Sequence, residues 1–175
     1  SALFVSGLMV EQVGGPSVKP YQPPGIWEAV AYPTSNTANF VRDTGPALYR
    51  RSLYSFWKRT AHPPSMQTFD APSPEQCTVR RARTNTPLQA LVLMNDEQFV
   101  EASRHFAARM LTEGGGSDEE KLAYGFRAVT ARWPDETERR ILKDSLDRQL
   151  GRFASDSAGA ESLLTVGEKK GSAPV

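Results

Sequence analysis

Few side chains in this sequence have types and settings that suit chemistry. Asp70, in Phe69-Asp70-Ala71-Pro72, has the type of a general base or a ligand, although an Asp in such a setting more often closes a turn on backbone N–H groups or pairs with an arginine. Cys77 is the single cysteine. Basic neighbours suit it to a nucleophilic role, and the plainer reading is a small buried apolar residue under a loop. One cysteine cannot form an intrachain disulfide or a thiolate metal cluster. His62 falls in a proline-rich loop, and His105 shares a helical face with Glu101 and Arg109, which places it in solvent. Two such histidines give no metal site, and none is expected. The densest charge cluster is Arg80-Arg81-Ala82-Arg83, with Asn85 close behind. It directly precedes a helix start, so its guanidinium groups and the Asn85 amide are candidates for holding a phosphate, sulfate or carboxylate. The competing reading is that these arginines pair with Asp70, Glu75 or helix acids, or are simply solvated.

The elements that must position these residues follow from periodicity and punctuation. Thr86-Pro87-Leu88-Gln89 is a capping box with proline at the first helical position. Asn95-Asp96-Glu97-Gln98 and Ser117-Asp118-Glu119-Glu120 offer two more caps, and Trp133-Pro134 punctuates before a last helix. These signals predict helices over about 87–94, 96–111, 117–132 and 135–153, with a short one over 160–166. The expected buried stripes are Leu88, Leu91 and Val92, then Phe99, Ser103, Phe106 and Met110, then Leu122, Phe126 and Val129, then Ile141, Leu142, Ser145, Leu146, Gln149, Leu150 and Phe153. Asp135–Arg139, Glu136–Arg140 and Asp144–Arg148 are expected i, i+4 pairs on the outer face.

The first half is less regular. Leu3, Phe4, Leu8, Met9 and Val13 fall near helical spacing up to Gly14-Gly15. Four prolines between Pro16 and Pro24 favour extended backbone. Ile26 to Ala31 suits one or two helical turns with Trp27 and Val30 on one side. Tyr49, Leu53, Phe56 and Trp57 make a helical stripe within Leu48 to Thr60, although its aromatic content favours strand, and the segment reads as helix. Met66 to Thr78 reads as a loop.

The charge distribution is uneven. Eight basic residues against three acids lie between Arg42 and Arg83, whereas fifteen acids face twelve bases from Asp96 onward. No run approaches the ~20 apolar residues of a membrane span. The apolar opening lacks the basic lead and cleavage site of a signal peptide. There is no phosphate loop, nucleophile elbow, HExxH pair, EF-hand loop or haem-attachment motif. The pattern is mainly α: a small helical bundle in the C-terminal half with an irregular proline-rich N-terminal half. Residues 1–153 read as a single helical domain cut from a larger protein, and 154–175 as a flexible polar tail or truncated linker. Cut helix ends would favour self-association.

Two stretches carry a resemblance. One runs Gly14-Gly15-Pro16-Ser17-Val18-Lys19-Pro20-Tyr21-Gln22-Pro23-Pro24-Gly25-Ile26-Trp27-Glu28. The other comprises Leu48 to Thr60, Phe69 to Pro72 and Arg83 to Leu91. Over about residues 1–153 the chain resembles the planctomycete-specific C-terminal domain of unknown function found in multidomain proteins with a planctomycete cytochrome-c-type domain. The resemblance implies a bacterial, extracytoplasmic protein, redox-linked or involved in polymer breakdown. Any haem would sit on a separate domain, with no cofactor in this chain. It supplies no catalytic residues. The expected function is a non-catalytic binding or scaffold module whose partners are other domains of the same polypeptide and an anionic glycan. One alternative is part of an enzyme acting on anionic polysaccharide through Asp70, Arg80, Arg81 and Arg83. The other is polyanion or nucleic-acid binding through the basic middle, which is short, lies in a chain of pI near 7.8 and carries no nucleic-acid motif.

Overall fold

A computed structural model describes residues 1–32, 34–35, 38–73, 75 and 77–170. Its described residues contain seven α-helices and only isolated β-bridges: α1 (Ala2–Val5), α2 (Pro64–Thr68), α3 (Pro87–Asn95), α4 (Glu97–Glu113), α5 (Asp118–Thr130), α6 (Glu136–Ser155) and α7 (Ser157–Leu164). No helix among them is long and apolar enough to cross a membrane. The chain divides into two compact units, one of Val10–Phe99 and one of Ser1–Met9 with the chain from Val100.

In the Val10–Phe99 unit the proline-rich segment runs beside residues 49–56. Val10 N–H donates to Tyr49 C=O (2.9 Å), Val18 N–H to Tyr54 C=O (2.8 Å), and Phe56 N–H to Val18 C=O (2.7 Å). This corrects the helical reading of Leu48 to Thr60. Only short 3₁₀ turns form there, at Gly45–Tyr49 and Ser52–Tyr54, and Leu53 is 77% exposed. The backbone groups a helix would use internally are spent on the partner segment, where proline supplies no N–H and every available donor counts. The opening helix is also shorter than expected: it ends at Val5, where Gly7 takes a left-handed backbone (φ 74°) and the Leu8 and Met9 N–H groups both turn back to Leu3 C=O.

Arg50 locks this arrangement. It is buried, stacks 3.8 Å from the Tyr54 ring centroid, and donates to the carbonyls of Gln12 (3.0 Å), Gly14 and Pro16 (3.1 Å). Tyr54 OH in turn accepts from Gly14 N–H (2.9 Å). Trp27 is buried against Phe40 and Phe56, with Lys19 and Lys58 over its ring. Val30 does not share that side and is exposed.

The local helix signals appear nearly where they were read. The Thr86/Gln89 and Ser117/Glu120 capping boxes are both complete, and Asp135 with Glu138 makes a third. α4 is capped by Asp96, whose Oδ1 accepts from Gln98 and Phe99 N–H, while Asn95 belongs to α3. Burial raises the Asp96 carboxyl above its usual range, against the lowering effect of those two bonds. α2, started by Pro64 at its first position, runs into the segment from Met66 that was expected to be loop.

In the second unit α5 and α6 pack together, with Leu122, Phe126, Leu142 and Leu146 half-buried. Gly125 lets Met110 of α4 approach, because a Cβ there would lie 2.7 Å from the Met110 methyl carbon. Arg109 ties α1 to α4 and α5: it donates to Val5 C=O, to both Glu113 oxygens (2.9 and 2.8 Å) and to Tyr124 OH (3.1 Å). Several expected core positions lie in solvent instead, among them Leu88, Leu91, Ser103, Val129, Ile141 and Leu150. The expected pairs on α6 do not form. Asp135 serves as the cap, Arg139 donates to Pro134 C=O, and Lys143 with Asp147 makes the i, i+4 pair.

Candidate functional site

α2 ends at Thr68, and two residues later Asp70 takes a left-handed backbone conformation (φ 59°), which Asp tolerates better than most non-glycine residues. The turn is held from both sides. Arg81 donates from Nε to Asp70 C=O (2.7 Å) and from Nη2 to Phe69 C=O (2.5 Å). The Asp70 carboxylate accepts from Thr84 N–H (2.7 Å) and from Thr84 Oγ1 (2.8 Å). Gln89 then pins Thr84: its Nε2 donates to Thr84 Oγ1 (2.9 Å) and to Thr68 C=O (3.0 Å), while its Oε1 accepts from Thr86 N–H (3.3 Å). One side chain thus joins the end of α2, the loop and the cap of α3.

This frame shapes an open pocket of about 620 Å³. Phe69, Val79 and Ala82 supply apolar surface, Arg80, Arg81 and Arg83 supply positive charge, and Asp70, Thr84 and Gln89 complete the lining. Three of the four arginine-cluster candidates therefore meet in one place together with Asp70, whereas Asn85 is exposed and does not line the pocket. The arginines divide by role. Arg81 is committed to the backbone turn. Arg80 and Arg83 are exposed and make no hydrogen bond or ion pair among the described residues. Glu75, a possible partner for them, is held by Arg59 instead.

The chemistry open to Asp70 is narrow. The Thr84 N–H, then the Thr84 hydroxyl, then the charge of Arg81 hold its carboxyl below the usual range. A carboxylate so stabilised in its ionised form, with two donors of Thr84 already on it, is a poor general base at neutral pH. The pocket is accordingly better suited to attracting an anion than to moving a proton.

The remaining reactive residues lie apart. Cys77 is exposed, which corrects its reading as a buried apolar residue: the surrounding loop has no core to bury it in. His62 packs against the Trp57 ring at 5.4 Å. His105 is half-buried, not solvent-facing, because the stretch after α7 covers it and its Nε2 lies 3.0 Å from Lys169 C=O. Among the described residues there is no group of three or more His, Cys, Asp and Glu that could hold a metal ion.

In the sequence Gln89 is recognisable only as a capping residue and Phe69 only as the neighbour of Asp70 in its turn, while no motif there marks Thr84 or Val79 as part of a site. The available signal was Thr84 two residues before the Thr86 cap, where a second hydroxyl has no helical duty to perform.

Comparison with known proteins gives a family and no activity. The model of a family described as a protein of unknown function (DUF1553, PSD1) matches residues 1–146, which include the whole pocket. No curated protein and no solved structure matches the chain. With most of its length covered by that match, the chain belongs to the DUF1553 (PSD1) family of proteins of unknown function.

Proposed function

We propose that this chain is a non-catalytic binding module that receives an anionic group, as carried by a sulfated or acidic glycan, in the pocket of Arg80, Arg81 and Arg83. The observation that carries this reading is the division of labour among the arginines. Arg81 braces the loop, and the two guanidinium groups beside it, Arg80 and Arg83, have no partner among the described residues. Two uncommitted guanidinium groups lining one pocket match a ligand that carries negative charge, such as a sulfate or carboxylate group. The commitment of Asp70 to Thr84 argues against the enzyme alternative. The compact shape of the pocket argues against nucleic acid, which calls for a longer basic track. The resemblance to planctomycete-specific C-terminal domains supports an extracytoplasmic setting, with other domains of the same polypeptide, one of them haem-bearing, as partners.

A thermal-shift series tests this with sulfate, a sulfated oligosaccharide and a short DNA. A ligand bound to the native state alone at a hundred times its Kd stabilises by about 2.7 kcal/mol. For a chain of this size that raises Tm by roughly 5–11 °C. The sulfated oligosaccharide is expected to give that shift, and Arg80→Ala with Arg83→Ala to remove it while the ligand-free Tm stays put. An equal shift in the double variant places the anion elsewhere. No shift with any anion ends the binding reading, and a larger response to DNA favours the polyanion alternative.

A further inference from the structure

After α7 the chain turns back and lies along α4 in the same compact unit, and the side chains that hold it there read main chain. Arg104 donates from Nη1 to Leu164 C=O (2.6 Å) and from Nη2 to Lys169 C=O (2.5 Å). His105 Nε2 lies 3.0 Å from that second oxygen, which makes it a donor there. Lys169 N–H donates to Glu101 Oε1 (2.7 Å), and Glu101 is completely buried. Gly167 (φ 91°) is required twice over. An L side chain is strained at that φ, and a Cβ would stand 2.4 Å from the Glu101 carboxyl carbon.

Three features separate this seat from ordinary core packing. Its recognition elements are a carboxylate, a guanidinium and an imidazole, all directed at backbone N–H and C=O groups. The leucine of the seated stretch, Leu164, remains exposed and does not anchor it. A fully buried carboxylate is also a poor choice for stability alone, where an apolar residue of similar volume does as well or better. Glu101 makes sense where a particular N–H must be received. Moreover Glu101, Arg104 and His105 lie within the family match, which ends at residue 146, whereas the seated stretch lies outside it.

We propose that Glu101, Arg104 and His105 on α4 form a receptor for a turned, glycine-containing peptide main chain, and that Leu164–Lys169 occupies it in cis. The pattern it reads is a carbonyl, a glycine three residues later, and an N–H and carbonyl two residues after that. When the cis stretch lifts, the same row accepts a peptide of that pattern in trans.

The test uses the full chain with Lys169→Pro, which removes the N–H that Glu101 receives and leaves α4 untouched. Hydrogen exchange of 165–170 is expected to quicken about 10- to 100-fold, as for loss of a hydrogen bond to a charged group, while α4, α5 and α6 keep their protection. A synthetic peptide of residues 164–170 should then bind this variant and not the unaltered chain. The same peptide with its glycine replaced by valine should fail to bind, as should the original peptide on a chain carrying Glu101→Ala as well. Unchanged exchange in Lys169→Pro, or loss of protection throughout α4–α6, would overturn the proposal, since the stretch would be either unseated or simply core. Failure of the peptide to bind at millimolar concentration, or binding regardless of the glycine, would overturn it equally. Should Lys169→Pro not fold, Gly167→Val takes its place with the same expected and contrary results.

Discussion

Truncating Gln89 to alanine probes the frame of the pocket most directly. The side chain is buried and makes three bonds: to Thr68 C=O, to Thr84 Oγ1 and from Thr86 N–H. Thr68 is half-buried and Thr84 and Thr86 are exposed, so water replaces part of what is lost, and each bond counts at or below the usual net value of about 1 kcal/mol. Alanine returns a few tenths of a kcal/mol in helix propensity. The net loss is about 2 kcal/mol, or roughly 4–8 °C in Tm for a chain of this length. Because the chain has two compact units, the signal must come from the right one. On a Trp133→Phe background, tryptophan emission reports Trp27 and Trp57, which share the Val10–Phe99 unit with Gln89. A double-mutant cycle with Thr84→Val is expected to show a coupling of about 0.5–1 kcal/mol, as contacting residues do. Anion affinity should fall with it, since Thr84 positions Asp70 and the loop. A loss below about 0.5 kcal/mol, or strict additivity with Thr84→Val, would refute the claim that Gln89 holds the loop to the helix.

Two further outcomes are expected in the other unit. Arg109 and then the Tyr124 hydroxyl hold the Glu113 carboxyl down to about 2, and Arg132 and then the Asp135 N–H hold Glu138 down to about 2. Folded-state values below the unfolded ones mean that this contribution to stability is complete above the ordinary carboxyl range and is lost as pH falls from there toward about 2. Carboxyl carbon shifts should therefore show both groups still ionised at pH 3, and Arg109→Met should raise Glu113 alone toward the ordinary range, with the Tyr124 hydroxyl still holding it partly down; joint protonation near pH 4 would contradict the assignment. The glycines at 114 and 125 should differ under alanine substitution. At Gly114 the new Cβ meets backbone, 2.4 Å from Met110 C=O and 2.8 Å from Lys121 Cα, so urea unfolding should show a loss of about 2–3 kcal/mol. At Gly125 it meets only the mobile end of Met110, and the helix gains about 1 kcal/mol in propensity, so the change should stay within about 1 kcal/mol; the reverse order would mean that α4 and α5 pack differently.

Signals that act within a few residues were legible in the sequence. The Thr86/Gln89 and Ser117/Glu120 boxes were readable because donor and acceptor lie three residues apart on one turn, and no distant group competes for them. From those caps and the apolar periodicity the mainly helical character and the bounds of α3 to α6 followed to within a few residues. The arginine cluster was visible as density of charge, and Asp70 as a turn residue.

What local pattern could not convey is who pairs with whom across long separations. Leu48 to Thr60 has helical spacing, yet its backbone bonds go to Val10 and Val18, dozens of residues upstream. Arg80, Arg81 and Arg83 look alike in sequence, and only the turn at Asp70 makes Arg81 a brace and leaves the other two facing the pocket. Leu88 and Leu91 keep perfect helical phase and still lie exposed, because periodicity states which side of a helix is apolar and not whether anything is there to cover it. His105 and Glu101 were read as one face of a helix, and the stretch that buries them comes from more than sixty residues further on. Caps, turns and propensities are short-range and belong to the sequence. Burial, the commitment of each charge and the existence of a pocket depend on which remote segment closes against which, and the tertiary structure alone decides that.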